Sequence, residues 1–526
     1  MKKCFCLIVI LISSVLTAYS QVVEQSEEKL KAWGDQGNGT YINPILNSDY
    51  SDPDVIRVGD RYYMVASDFH FLGMQVLVSD DMVNWRLLSQ VYSQFNFPEW
   101  NTSGRYGGGS WAPSIRYHNG KFWIFFCTPN EGLFMTNASD PAGPWSPLFN
   151  VRQVQNWEDP CPFWDKDGQA YLGHSVLGGG PIIIHKMSSD GTKLLDTGVT
   201  VYTGPVAEGT KIHKRNGYYY LSIPEGGVTG GWQTILRSRN IYGPYEKKVV
   251  LEQGCTSING PHQGAIVDTP DGEWFFFHFQ LCNPLGRVVH LQPMSWKDEW
   301  PVIGVDRDMN GIGEPVFVWT KPRNTSECKI ETPQTDDDFN SDKLALQWQF
   351  NHNPVDSAWS LMEQKGMLTM HALKANDFMH ARNTLTQKTM GYEGTATVKI
   401  NFQNIAEGMR AGMVCMGMKN ALIGVMRQDN QNMVYFEWNG QITQSLPLTH
   451  KKEIYFRLQM DASINKYVFS YSYDNKNFVS LGKPVSMQFG NWKGVRVGLY
   501  CYNVNSSDGK ACFDVFTYQH DGPKGL

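Results

Sequence analysis

The sequence lacks the features that mark several broad classes of protein. Basic and acidic residues nearly balance, with 46 Lys and Arg against 51 Asp and Glu, so there is no positive excess to bind nucleic acid or an anionic membrane. Charged residues make up only 18% and hydrophobic residues 41%, which excludes an intrinsically disordered chain. The ten cysteines show no C-x-x-C spacing, which argues against a zinc site and a dense disulfide framework.

Long apolar runs are also scarce, and the clearest one lies at the N-terminus. Lys2 and Lys3 precede an apolar run from about Cys4 to Leu16, and Ala18-Tyr19-Ser20 has the form of a small-x-small cleavage site. The run is shorter than the roughly 20 residues that span a bilayer, so a signal peptide over residues 1–20 is favoured over a membrane anchor. We therefore expect a secreted or periplasmic protein with no membrane span after cleavage. Its oligomeric state stays open.

Aromatic and turn-forming residues are abundant. Aromatic side chains make up 13% of the chain, and it contains 50 Gly and 26 Pro. Many tight turns favour an all-β protein, and aromatic faces suit an uncharged ligand with apolar faces, such as a sugar.

A turn followed by an aromatic-rich strand recurs five times. Asn-Gly and Asp-Gly pairs between β-rich runs are strong hairpin signals, because both central residues of a type I′ turn need positive φ. The five turns lie at Gly59-Asp60, Asn119-Gly120, Asp167-Gly168, Asn216-Gly217 and Asp271-Gly272. Five units of roughly fifty residues predict a five-bladed β-propeller over residues 41–320. The alternative is a series of hairpins in one large sandwich.

Polar and aromatic residues precede these turns at a nearly constant distance. Equivalent positions of successive blades form a ring about a propeller axis, so we expect such residues to line one central pocket. Eight to ten residues before the turns stand Asp52, Trp111, Asp159, Glu208 and His262. Three of the five are carboxylic acids, and grouping three carboxyls costs free energy because like charges raise one another's pKa. Their convergence therefore predicts a functional site.

At these residues the sequence resembles glycoside hydrolase family 43, whose members are five-bladed propellers that cleave xylosides and arabinosides. The resemblance rests on Tyr50-Ser51-Asp52-Pro53-Asp54, Trp111-Ala112-Pro113, Asp159-Pro160, Glu208-Gly209, His262-Gln263-Gly264 and Gly286-Arg287. It implies that Asp52 is the general base, Asp159 an auxiliary acid and Glu208 the general acid. It also implies that Trp111, His262 and Arg287 bind substrate or steady the catalytic groups.

The opening motif leaves one choice between two carboxylates. The family motif usually reads Pro-Asp-Pro-Ser, whereas this chain has Asp54 in place of the serine. Residues two apart in a strand point to the same face, so Asp52 and Asp54 are expected on the same side. Asp52 keeps the phase of the motif and is the preferred base.

The chain changes character after the repeats. Residues 21–40 lead into the propeller, 321–335 form a linker, and alternating strands from 336 to 526 predict a β-sandwich of jelly-roll type. This part is similar to the concanavalin-type sandwich that accompanies many family 43 xylosidases and closes one side of their pocket. Asp306, Asp308 and Asn310 begin a D-x-D-x-N-G pattern without the final acidic ligand of a calcium loop, so a turn is favoured there.

The resemblance implies an inverting glycosidase that acts on β-1,4-xylosides or α-L-arabinofuranosides of plant polysaccharides. The accompanying sandwich favours exo action. Its partners would be oligosaccharides or polysaccharides, and the chemistry requires no cofactor. A structural calcium ion, held at His262 directly or through water, stays an alternative. A retaining enzyme acting on fructosides, a non-catalytic lectin and a protein-interaction propeller are the rival interpretations.

Overall fold

The computed structural model describes residues 31–101, 105–325, 327–448 and 452–523, and the predicted signal peptide lies outside them. Five four-stranded antiparallel sheets follow one another over residues 51–303. Blades 1 and 2 consist of Ser51–Val58, Arg61–Ser67, Gln75–Ser79 and Arg86–Gln90, then Trp111–His118, Lys121–Thr128, Gly132–Ala138 and Phe149–Arg152. Blades 3 to 5 consist of Trp157–Trp164, Ala170–Val176, Ile182–Met187 and Val199–Tyr202, then Lys211–Arg215, Tyr218–Glu225, Trp232–Ser238 and Glu246–Leu251, then Ile266–Asp268, Trp274–Cys282, Gly286–Lys297 and Trp300–Ile303.

The predicted turns connect the first two strands of the blades. Asn119 and Gly120 have φ of 49° and 74°, and Asn216 and Gly217 have φ of 49° and 79°. Both pairs thus have the two positive φ values of a type I′ turn, which matches the twist of the flanking strands. The first strands of blades 1 to 4 contact one another in order around the axis, and the first strand of blade 5 contacts that of blade 1.

Aromatic and aliphatic side chains fill the spaces between blades. Blades 2 and 3 enclose Phe125, Leu133 and Leu172, while blades 4 and 5 enclose Tyr220 and Phe276. Each of these side chains is at least nine-tenths buried. Burying an aliphatic or aromatic side chain contributes about 1.5–3 kcal/mol, so these interfaces use much of the aromatic content for stability.

A small sheet links the residues before the propeller to those after it. Gly34–Asp35, Thr40–Ile42 and Val318–Thr320 form three antiparallel strands. The side chain of Asn43 also accepts from the Leu291 backbone N–H at 2.8 Å, which fixes the entering chain against blade 5.

The C-terminal part is a sandwich of two large sheets. One sheet contains Gln349–Phe350, Leu373–Lys374, Thr384–Lys388, Met409–Met416, Ala421–Gln428, Gln431–Trp438, Gln441–Pro447 and Arg496–Asn503. The other contains Trp359–Ser360, Leu368–His371, Glu393–Asn401, Glu453–Asp461, Lys466–Ser472, Val479–Ser480 and Lys510–His520. Short 3-10 helices lie at Pro98–Asn101, Asp356–Ala358 and Phe378–His380, and among the described residues no helix is long and apolar enough to cross a membrane.

The sandwich packs on the side of blades 1 and 2. Asp68 of the propeller accepts from Gln349 at 2.9 Å and from Lys388 at 2.8 Å, and all three side chains are buried. The largest apolar core includes residues from these blades and from both sandwich sheets. The predicted fold, a five-bladed propeller followed by a β-sandwich, is confirmed.

Candidate active site

One backbone irregularity repeats at the same place in all five blades. A residue with positive φ stands in or just before the first strand of each blade, and pairing registers in blades 1 to 3 shift at that point. These residues are Asp52, Ala112, Asp159, Gly209 and Gln263, with φ between 33° and 61°. Such bulges bend a strand and redirect its side chains, and here they do so around the propeller axis.

The repeat corrects the expected alignment of the site residues. Asp52 and Asp159 are themselves the left-handed residues of their blades, whereas Trp111, Glu208 and His262 each stand one position earlier. The five predicted residues therefore occupy two adjacent positions of the repeat. The difference arises because the number of residues between the bulge and the following turn varies among the blades, so counting back from the turns does not keep the bulges aligned.

A cavity of about 240 Å³ opens at this end of the propeller. Trp111, Asp52, Asp159, Glu208 and Arg287 line it, together with Glu158, Phe69, Gln263 and Trp492. The structure thus brings together five of the six predicted residues. His262 does not line the cavity.

Asp52 is buried and held by two partners. Its Oδ1 accepts from Arg287 Nη1 at 2.8 Å, and its Oδ2 accepts from Ser67 Oγ at 2.6 Å. Arg287 Nη1 also donates to Ser51 Oγ at 3.0 Å. These contacts fix the orientation of the Asp52 carboxyl group at the cavity wall.

Asp54 does not share this environment, and the expectation that both carboxylates face the same side is wrong. Asp54 Oδ2 accepts from the Ile115 N–H at 2.8 Å and from Arg116 Nη1 at 2.6 Å, both in blade 2. The register shift between Ser51 and Asp54 breaks the two-residue alternation of the strand. Asp54 therefore joins two blades, and it lies outside the cavity lining.

Asp159 and Glu208 form a close pair of acids. Their carboxyl oxygens lie within 4.8 Å of each other, and Asp159 Oδ2 accepts from the Gly209 N–H at 2.6 Å and from Ser175 Oγ at 3.1 Å. Burial and the nearby charges of Asp159 and Asp52 raise the pKa of Glu208 to about 8. Burial and the charge of Asp52 raise the pKa of Asp159 to about 6. A carboxyl that keeps its proton at neutral pH can act as a general acid.

Arg287 connects the propeller chemistry to the sandwich. Its backbone N–H donates to Asp49 Oδ1 at 2.9 Å, while Asp49 Oδ2 accepts from the Gly494 N–H at 2.9 Å. Gly494 follows the loop that carries Trp492, whose ring forms one wall of the cavity. Trp492 and Trp111 meet edge to face with ring centroids 6.4 Å apart. The sandwich thus supplies part of the pocket.

His262 is fully buried behind the cavity. Its Nδ1 lies 2.7 Å from the Gly260 carbonyl oxygen, and its Nε2 is buried with no hydrogen-bond partner within the described part of the chain. Burial lowers the pKa of His262 to about 4, so the ring is neutral at neutral pH. Calcium prefers a set of oxygen ligands, and the carboxylates near the axis group around Glu208 rather than around this nitrogen. The calcium site at His262 stays a prediction.

The loop at Asp306 has the hydrogen bonds of a turn. Asp306 Oδ2 accepts from the Gly311 N–H at 2.9 Å, and Asn310 Oδ1 accepts from the Ile312 N–H at 2.6 Å. Asn310 Nδ2 donates to Asp308 Oδ2 at 3.0 Å. Side-chain oxygens of the pattern thus cap backbone groups, as short polar side chains do in turns.

Four residues named above as lining the cavity were not among the predicted site residues: Glu158, Phe69, Gln263 and Trp492. Glu158 adjoins Asp159 and could have been suspected from that position alone. Gln263, whose Nε2 lies 3.5 Å from Asp159 Oδ1, could have been found by aligning the bulges. Trp492 gives no local signal, because only the tertiary packing of the sandwich brings it to the propeller.

A buried carboxylate held by a guanidinium, a protonated glutamic acid and an aromatic wall, all at the axis of a five-bladed propeller, define a glycosidase, an enzyme that hydrolyses O-glycosyl bonds. The family model described as glycosyl hydrolases family 43 matches residues 41–301. The model described as the beta xylosidase C-terminal concanavalin A-like domain matches residues 336–519. The chain belongs to glycosyl hydrolase family 43.

Individual relatives agree with this assignment. The chain is 55% identical to a provisionally named beta-xylosidase of Xylanibacter ruminicola, over 90% of this chain and 88% of that protein. It is 36% identical to a beta-xylosidase of Formosa agariphila, over 100% and 99% of the two chains. It is 29% identical to a non-reducing end alpha-L-arabinofuranosidase of Bacteroides ovatus, over 91% and 95%. Among solved structures, a bifunctional GH43-CE protein of Bacteroides eggerthii superposes with a TM-score of 0.82 at 30% identity, over 92% of this chain and 64% of that one.

Proposed function

We propose that this protein is an inverting, exo-acting β-xylosidase that removes single pentose residues from plant oligosaccharides and polysaccharides. The observation that carries the proposal is the grouping of Asp52, Asp159, Glu208 and Arg287 in one cavity, with the pKa of Glu208 raised to about 8. The names of the two most similar relatives cited above support the xyloside as substrate.

The proposed reaction divides the work between two carboxyl groups. Asp52, held in place by Arg287, takes a proton from a water molecule, which attacks the anomeric carbon. Glu208 gives its proton to the leaving oxygen from the opposite face of the sugar. In this account the two carboxyl groups lie about 6.5–9.5 Å apart, which leaves room for the water of an inverting enzyme.

Three other residues position these groups and the sugar. Asp159 keeps Glu208 protonated through its negative charge, and the Gly209 N–H fixes the orientation of Asp159. Arg287 holds Asp52 in place and limits the rise in the pKa of Glu208. We propose that Trp111, whose Nε1 donates to the Gly107 carbonyl at 2.7 Å, offers its ring to the apolar face of the pentose.

Exo action is supported by the size and enclosure of the cavity. Its 240 Å³ is smaller than the roughly 300–1,000 Å³ of pockets for drug-sized ligands, and Trp492 closes one side. A cavity of this kind holds a single sugar ring at a chain end, whereas an endo-acting enzyme needs an open cleft.

We propose that catalysis requires no cofactor. His262 Nε2 would hold an ordered water on the axis, and any calcium ion there would bind through that water. Activity is therefore expected to survive dialysis against EDTA, and loss that Ca²⁺ restores would contradict this part of the proposal. The N-terminal segment supports export from the cytoplasm, which cell fractionation of the full chain would test.

The discriminating experiment is a screen of 4-nitrophenyl β-xyloside, α-L-arabinofuranoside, β-galactoside and a fructoside. The account expects the highest kcat/KM with the xyloside. A preference for the arabinofuranoside would contradict the xylosidase proposal and favour the activity for which the Bacteroides ovatus relative is named. Binding of sugars without turnover of any glycoside would favour a lectin and contradict the proposal.

A further inference from the structure

Glu158 is a pocket residue to which the proposed reaction gives no role. It is 6% exposed, lines the cavity and stands immediately before the left-handed residue of blade 3. Trp111 of blade 2 and Glu208 of blade 4 hold that same position in their blades. Glu158 therefore shares its position in the blade with two site residues, and like them it lines the cavity.

The carboxyl group of Glu158 has an unused hydrogen-bonding atom. Its Oε1 is buried and has no partner in the part of the chain that the structure describes. Its carboxyl lies within 4.8 Å of those of Asp159 and Glu208, and no described Lys, Arg or His forms an ion pair with it. A buried polar atom without a partner costs about 1–3 kcal/mol, so a ligand group that supplies the partner binds more tightly than one that does not.

The surrounding charges determine which form Glu158 takes. Blade 1 contributes Asp52, blade 4 contributes Glu208, and Asp159 follows in the same strand, while Cys127 of blade 2 is a buried thiol nearby. Burial and the charges of Asp159, Glu208 and Asp52 raise the pKa of Glu158 to about 9, although a Gly179 backbone hydrogen bond opposes the rise. At neutral pH the side chain is consequently a carboxylic acid with one O–H donor.

We propose that Glu158 donates a hydrogen bond from its carboxylic acid to a ring hydroxyl of the sugar in the pocket and selects for sugars that carry this hydroxyl. The inference rests on the proposed function, since it assigns one contact to the substrate of that site. A site built to pair a hydroxyl rejects analogues that lack it, because its own polar group then stays buried without a partner.

Two variants separate this role from a structural one. Glu158→Leu removes the donor at similar size and is expected to raise KM for 4-nitrophenyl β-xyloside about 10- to 100-fold. Glu158→Gln keeps an N–H donor and is expected to recover most of that loss. Glu246→Gln, which changes a surface glutamate, serves as the matched control. Equal KM in wild type and Glu158→Leu would overturn the proposal.

Substrates that lack one hydroxyl identify the contact. In the wild type, removing the contacted hydroxyl from the 4-nitrophenyl xyloside should lower kcat/KM by about the same factor as Glu158→Leu does with the full substrate. In Glu158→Leu, removing that hydroxyl should lower kcat/KM no further. If every deoxy substrate loses the same factor in both proteins, Glu158 contacts no hydroxyl and the proposal fails.

A pH profile and a binding measurement complete the test. In the wild type, KM should rise above about pH 9 as Glu158 loses its proton, whereas Glu158→Gln should show no such rise. If the wild type turns over no glycoside, the proposed function fails, and calorimetry with free xylose still decides the contact. Weaker xylose binding by Glu158→Leu than by Glu158→Gln would support the Glu158 hydrogen bond, and equal binding by the two variants would overturn it.

Discussion

Replacing Asp159 with asparagine should move the pH range of the enzyme without removing either proposed catalytic group. In the wild type, Asp159 Oδ2 accepts from the Gly209 N–H at 2.6 Å. The asparagine amide keeps an oxygen that can accept this hydrogen bond but carries no negative charge. The charge of Asp159 is one cause of the raised pKa of Glu208, after burial. Glu208 in Asp159→Asn should therefore lose its proton at lower pH, and activity should end at lower pH.

The size of the effect follows from the distance between the two carboxyl groups. At 4.8 Å, the largest separation that these oxygens have, and an effective dielectric constant of about 20, the repulsion is about 3.5 kcal/mol, or roughly 2.5 pKa units. We expect a decrease of about two units, from about 8 to roughly 6. At pH 8 the protonated fraction of Glu208 would then fall about 50-fold.

The assay is kcat/KM for 4-nitrophenyl β-xyloside between pH 4.5 and 9.5, which reports the ionisations of the free enzyme. Asp60→Asn removes one charge at an exposed blade turn, at the far end of the first strand of blade 1, and serves as the control. An alkaline limb of Asp159→Asn that coincides with the wild type, or moves to higher pH, would refute the reasoning.

Three further changes test separate parts of the site. Asp52→Asn should abolish turnover. Asp54→Asn should keep turnover but lower the free energy of unfolding by about 3 kcal/mol in urea titrations, because it leaves Arg116 without its buried partner. An Asp54→Asn variant that is fully stable but inactive would show that Asp54, not Asp52, is the base. Glu208→Gln should raise the melting temperature at pH 8 but not at pH 4. The folded-state pKa of Glu208 is raised from 4.5 to about 8, so its contribution to stability is complete below pH 4.5 and is lost as the pH rises through 8, by about 4 kcal/mol at pH 8. No difference in melting temperature at pH 8 would contradict the raised pKa. Trp492→Ala should raise KM about tenfold with little change in kcat, because it removes a wall rather than a reacting group; a loss confined to kcat would contradict this.

The blades could be predicted because their signals are local. A pair such as Asn216-Gly217 needs two positive φ values, and this requirement is met within four residues of chain. The count of five turns then gave the number of blades, and the carboxylates near the strand starts gave the pocket.

Two structural features limited prediction at the site, the strand bulges and the packing of the sandwich on the propeller. A bulge shifts the phase by one residue, so sequence counting could not tell that His262 lies behind the cavity while its neighbour Gln263 lines it. The same shift sends Asp54 into an interface between blades rather than beside Asp52. Trp492 depends on packing between domains far apart in sequence, for which no local pattern exists.

The central claim is that Asp52 activates water on one face of the sugar while Glu208 protonates the leaving oxygen on the other. Proton NMR of the anomeric signal during the first turnovers of 4-nitrophenyl β-xyloside tests it most directly. The account predicts that xylose appears first as the α anomer and equilibrates later. Initial release of the β anomer would contradict it, since retention requires a carboxylate nucleophile in place of the attacking water.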